Sequence, residues 1–188
     1  IVFGDWSSDV CSSDLDDVKG FGIYGKWIYA IDSEGILTRI SLDSGQKQVL
    51  SEDIHLARDL FQKSDFYRIK ARDDRVIFFL GSDGDFMVNI PPYRIASKDV
   101  VDFTFNNDKD ILLYWTRKSI GVVDFSQKTD KNIFQEKFTV RPVYQDASDI
   151  KQCFWAYKDS HLLYTNDNAV YLIEIEPQGP NQIGRAHV

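Results

Sequence analysis

Asp, Ser, Glu and Gly at close spacing can wrap a hard cation, and the 188-residue chain carries two such stretches. They are Asp32-Ser33-Glu34-Gly35 and Gly81-Ser82-Asp83-Gly84-Asp85. A dedicated calcium loop needs regularly spaced carboxylates and a distal bidentate Glu, and neither stretch supplies them. Asp and Gly are equally what a tight hairpin demands, so both stretches are expected to be turns. His55 and His161 have no His, Cys or Asp partner at the spacing of a metal site, and His161 reads as a solvated imidazole in the turn before a strand. Ser160 precedes His161, which pairs a hydroxyl with a base, but the glycines that flank a nucleophile elbow are missing. Cys153 would need a base near it in space to act as a nucleophile; its place in an apolar run predicts a small buried residue instead. Trp27, Trp115 and Trp155 with neighbouring tyrosines could form an aromatic platform, yet their strand positions recur, which points to packing. No catalytic, cofactor-binding or metal residue is assigned, and no cofactor is expected.

The elements that would position these residues are strands. Trp27 to Ile31, Ile36 to Leu42 and Gln46 to Leu50 are apolar or alternating runs divided by Asp32-Ser33-Glu34-Gly35 and Asp43-Ser44-Gly45. Strand, Gly-containing turn, strand, turn, strand is a β-meander. The pattern repeats. The stretch from Asp99 to Phe125 lies over Asp149 to Ile175 at a constant offset of 50, matching Leu112-Leu113-Tyr114 to Leu162-Leu163-Tyr164. The stretch from Ala71 fits at an offset of 34, with Phe79 on Leu113 and Phe86 on Ile120. Ile28 to Ile31 fits over Ile77 to Leu80 at 49. The extra residues fall between units, at Ser51 to Lys63 and Gln127 to Gln145, where loops accept insertions. One helix is expected, Ile54 to Gln62, between units.

Repeats of ~40 to 50 residues built from about four strands are propeller blades, each sheet burying two apolar faces against its neighbours. Ile111, Leu113 and Trp115 are therefore expected to face one adjacent blade, and Leu112 and Tyr114 the other. A parallel α/β sheet would need crossover helices for which the connections leave no room. The predicted fold is all-β: a partial β-propeller of about four antiparallel four-stranded blades, near 16–50, 65–97, 99–140 and 149–182, from a propeller of six to eight.

Phe103 to Tyr114 and Phe154 to Tyr164 resemble the WD40-like repeats of the propeller in the periplasmic TolB protein. In both, an aromatic strand, an Asp-containing turn and a strand ending in an aromatic recur. The chain departs from that pattern in having Asn107-Asp108-Lys109-Asp110 and Lys158-Asp159-Ser160-His161 in place of Ser-Pro-Asp-Gly. It is also similar to propellers of bacterial envelope proteins that carry a PEGA domain. The resemblance implies the bacterial periplasm or cell surface.

The two ends read differently. Ile183-Gly184-Arg185-Ala186-His187-Val188, as codons, is the reverse complement of Asp9-Val10-Cys11-Ser12-Ser13-Asp14, and Gly4-Asp5-Trp6-Ser7 extends a likeness to a sequencing-library adapter. Residues 1–15 and 183–188 are thus expected to be non-native, with 16–182 an internal piece of a longer protein. Setting aside Asp5, Asp9, Asp14 and Arg185 takes acidic residues from 29 to 26 and basic ones from 22 to 21, so the charge moves from −7 to −5. Removing Cys11 leaves Cys153 alone, with no intrachain disulfide. An acidic chain without a Lys/Arg cluster argues against nucleic acid, and apolar runs of about five residues fall far short of the ~18 of a membrane span.

The function these observations favour is a non-enzymatic propeller scaffold or binding domain. It would offer unrepeated polar loops, notably Lys128 to Ala147, to a protein or glycan partner beside the remaining blades of its parent. The alternative is the propeller of a larger hydrolase, a serine peptidase or sugar-active enzyme, whose catalytic part lies elsewhere. Four blades alone leave two apolar faces bare, so residues 16 to 182 are expected to associate.

Overall fold

In the computed structural model, the described residues are 17–50, 59–73, 76–89, 94–106, 110–125, 139–145, 149–157, 160–175 and 182–186. They form sixteen strands in four antiparallel sheets of four, each sheet taking its strands in simple chain order. Blade 1 holds β1 (Val18–Tyr24), β2 (Trp27–Asp32), β3 (Leu37–Ser41) and β4 (Lys47–Val49). Blade 2 holds β5 (Tyr67–Ala71), β6 (Ile77–Gly81), β7 (Phe86–Val88) and β8 (Arg94–Ser97). Blade 3 holds β9 (Val100–Asn106), β10 (Ile111–Thr116), β11 (Ser119–Asp124) and β12 (Thr139–Gln145). Blade 4 holds β13 (Gln152–Ala156), β14 (His161–Thr165), β15 (Val170–Glu174) and β16 (Gln182–Ala186). Four-stranded meanders repeated along a chain are the blades of a propeller, and the chain is a partial β-propeller. It divides into two compact units, one of residues 1–83 with 87–94 and the other of 84–86 with 95–188.

In the first unit, β1 alternates two glycines with large apolar residues. The glycines let its backbone approach β5: a Cβ on Gly20 would strike the Tyr67 carbonyl, and one on Gly22 would lie 3.0 Å from the Ile69 carbonyl carbon. Phe21 and Ile23 consequently turn to the other side, 64% and 61% exposed. The run Val76 to Leu80 is buried throughout, as expected of a strand covered on both faces. Of the predicted helix, residues 54–58 lie outside the described residues and 59–61 are helical. Phe61 from that turn is fully buried, its ring 4.8 Å from Phe79 and 5.7 Å from Tyr67. The Tyr67 hydroxyl donates to the Leu60 carbonyl at 3.0 Å.

In the second unit the offset of 50 maps one ladder onto the other. Leu113 pairs with Val122 where Leu163 pairs with Leu172, and Tyr114 pairs with Phe103 and Gly121 where Tyr164 pairs with Cys153 and Tyr171. The two rows fill equal space differently. A Cβ on Gly121 would strike the Tyr114 ring, so blade 3 sets large, large and small across the sheet. Blade 4 sets small Cys153 first and stacks Tyr164 on Tyr171 at 4.7 Å and 10°. Leu113, Trp115, Ile120 and Val122 share one buried cluster with Cys153, Leu162, Tyr164 and Ile173, and Ile111 packs against it. Tyr114 faces the other way, stacked 5.6 Å from Phe86. The expected split of Ile111, Leu113 and Trp115 from Tyr114 therefore holds.

Two expectations shift. The pair Ile31↔Leu37 encloses residues 32–36, whereas Trp115↔Ile120 encloses 116–119 and Thr165↔Val170 encloses 166–169. The first connection is one residue longer and turns through Gly35 at φ 78; Gly84, 49 residues on, has φ 84 and marks the same turn in blade 2. Only glycine adopts such angles cheaply. An offset of 34 therefore cannot hold on both sides of that hairpin. Phe86 and Ile120 stay equivalent, each facing the blade that follows, while Phe79 belongs with Tyr114 rather than Leu113. The second shift concerns Gln127 to Gln145, read as a loop: Thr139–Gln145 is β12, and blade 3 extends to Gln145. Pro142 sits there on an edge strand beside a register shift at Ile120/Gly121, the place a sheet tolerates proline. Residues 128–138 and 146–147 of the expected Lys128 to Ala147 loop lie outside the described residues.

Candidate functional site

The oxygen-rich turns are held as turns. Asp32 Oδ1 accepts the Glu34 and Ile36 amides at 3.0 and 2.9 Å. Asp83 Oδ1 accepts the Ser64 hydroxyl at 2.6 Å. Among the described residues, no three His, Cys, Asp or Glu side chains gather as a metal site would require. Cys153 is buried, as expected, and desolvation holds its thiol well above the ordinary range. His55 lies outside the described residues. His161 is not the freely solvated imidazole expected from its turn. It opens β14 half-buried, with Nδ1 2.7 Å from Ser160 Oγ and its ring 5.1 Å from Tyr157. The Ser160 hydroxyl also lies 2.8 Å from the Tyr157 carbonyl, which accepts from it. That arrangement ties together the turn before β14. Trp115 lies in the shared cluster, Trp155 packs on it, and Trp27 sits under Arg39 with the guanidinium 4.6 Å from the ring.

What the sequence did not reveal is how the hairpin tips are built. Thr116 Oγ1 accepts the Lys118 and Ser119 amides at 3.1 and 2.9 Å. Fifty residues on, Asn166 Oδ1 accepts the Asn168 and Ala169 amides at 3.0 and 2.9 Å. Asp32 does the same at the longer turn of blade 1. In each case a short oxygen-bearing side chain at the end of the second strand clamps the turn. The signal was present in the types of Asp32, Thr116 and Asn166; their equivalence was masked because the three residues differ.

The clamps hold outward-facing residues that do not repeat: Ser33-Glu34, Arg117-Lys118 and Asp167-Asn168. In the second unit these tips lie beside the entry to β13, where the Ile150 amide donates to the Arg117 carbonyl at 2.8 Å. Lys151 Nζ reaches Asp149 Oδ2 at 2.5 Å and Asp167 Oδ1 at 3.3 Å. Its hydrogen bond to Asp149 holds that carboxyl below the ordinary range, with Arg117 adding a smaller effect, and Lys151 is raised in turn. Arg117, Lys118, Asp149, Lys151 and Asp167 thus form a charged rim on a rigid frame. Such a surface can recognise a partner of complementary charge.

No protein-family profile matches the chain, and no curated protein matches it in sequence. Solved structures are similar to it. The N-terminal domain of Nup159 matches with a TM-score of 0.54 at 9% identity, over 90% of this chain and 48% of that one. The computationally designed proteins Ika4 and Ika8 each match with a TM-score of 0.51, at 13% and 14% identity. Ika4 is matched over 91% of its length and Ika8 over 47%, so the chain spans about half of Nup159's domain and of Ika8. At these identities the likeness is one of fold. No helix among the described residues is long and apolar enough to cross a membrane.

Proposed function

We propose that this chain is a non-enzymatic binding domain that meets a protein or glycan partner through the clamped tips of its hairpins. One observation carries the reading: the backbone of the tips is fixed by equivalent side-chain oxygens while the residues displayed on them change. Repeated framework with unrepeated display is how a rigid scaffold acquires specificity. The residues with chemical potential point the same way. Asp32 and Cys153 are committed to a turn and a packed core, and Ser160 bonds the Tyr157 carbonyl and His161 within its own turn. The resemblance to envelope propellers favours a bacterial cell surface or periplasm as the setting. Function on this fold resides in sites rather than in the fold itself, so the rim is where the test belongs. The 188-residue chain is applied to a glycan array and to a displayed peptide library. Saturable capture of one class, weakened ~10-fold or more by Arg117→Glu with Lys118→Glu, is the expected result. Turnover of ester, peptide or glycoside substrates by the purified chain, lost in Ser160→Ala, would overturn the reading.

A further inference from the structure

The second unit shows how one blade receives the next. Blade 3 offers Leu113, Ile120 and Val122, each 1% exposed or less, and blade 4 lays Cys153, Tyr164 and Ile173 upon them. The offset of 50 carries this receiving face onto blade 4 itself. Leu113 becomes Leu163, Ile120 becomes Val170, Val122 becomes Leu172, and Thr104 becomes Phe154. Phe154, Leu163 and Leu172 stand in one row by strand register. They are less covered than their blade 3 counterparts: Phe154 is 50% exposed and the other two are half-buried. The same positions that are sealed in blade 3 are therefore open in blade 4.

Blade 1 has the opposite kind of open face. Its glycine side is spent on β5, leaving Phe21 and Ile23 outward beside half-buried Ile28, while Ala30 and Ile40, on the same face by register, are buried. Phe21 pairs with Ala30 where Cys153 pairs with Tyr164. Each of these first-strand pairs sets one large residue against one small one, in opposite order. One end of the chain carries a face that docks and the other a face that is docked upon. Like faces do not fit each other in this scheme; unlike faces do.

We infer that two copies of this chain associate head to tail, the Phe21–Ile23 face of blade 1 in one copy covering the Phe154–Leu163–Leu172 face of blade 4 in the other. The contact is heterologous, and it either closes into a ring or continues. It is independent of the rim and of any partner bound there.

Sedimentation velocity on the full chain over a range of concentrations tests this with two variants. A head variant carries Phe21→Lys with Ile23→Lys, and a tail variant carries Phe154→Lys. All three sites are half or more exposed, so both variants fold, which circular dichroism melting checks; Phe154→Glu replaces the tail variant if that melt is lost. The parent chain is expected to associate, and each variant alone to be monomeric at concentrations at least ~10-fold higher. Mixed in equal amounts, the variants are expected to form a dimer, because one keeps a sound tail and the other a sound head. A monomeric parent chain, self-association of either variant, or a mixture that stays monomeric would each overturn the inference.

Discussion

Glycines and one cysteine set the tightest local constraints. Gly22 stands where β1 crosses the backbone of β5, and a Cβ there meets the Ile69 carbonyl. Gly22→Ala is expected to cost ~1–3 kcal/mol, because the crowding atom is backbone and cannot swing away; urea unfolding measures it. Cys153 is buried, and desolvation raises its thiol. The folded chain should resist alkylation at pH 8 and react once unfolded. The sign of the linkage follows from the raised value: stability is complete below about 8.5, where an unfolded thiol stays protonated, and declines as pH rises above it. Cys153→Ala should remove that part of the alkaline loss, seen by comparing melts at pH 7 and 10. Both roles were readable to different degrees. Cys153 lay in an apolar run and could be placed by its aligned partner Phe103. Gly22 could not, since nothing local says which backbone passes beneath it.

At the scale of elements, the hairpins decide the register of each blade. Gly84 turns at φ 84 with Asp99 Cα 3.1 Å from where its Cβ would lie. Gly84→Ala should therefore destabilise by ~1–3 kcal/mol through strain and contact together. Thr116→Val removes the oxygen that clamps the tip and is expected to cost ~1 kcal/mol. The strands of all four blades were legible because alternation and unbroken apolar runs are local signals. The equivalence of Leu113 with Leu163 was legible too, since both sit in hairpins of equal length. The pairing of Phe79 was not, because one residue gained in a turn reverses which face a strand presents. β12 was hidden for a different reason: Pro142 and the bulge beside it break the pattern that marks an interior strand.

Within each of the two units small sheets bury their apolar sides on one another, β1 on β5 in the first and blade 3 on blade 4 in the second, and stability resides in those contacts more than in any one blade. Structures of this kind behave as sums of repeat and neighbour contributions. The rim was the least legible feature, because display residues are free to vary and leave no periodic trace. The interlocking of blade faces is tested most directly by a double-mutant cycle across blades 3 and 4. Leu113→Ala and Ile173→Ala, both fully buried in the shared cluster, are each expected to cost ~2–5 kcal/mol. Made together and followed by urea unfolding, they should depart from additivity by ~0.5–3 kcal/mol. Losses that simply add, to within about 0.3 kcal/mol, would mean that the two side chains do not meet and that the blades are not packed face to face.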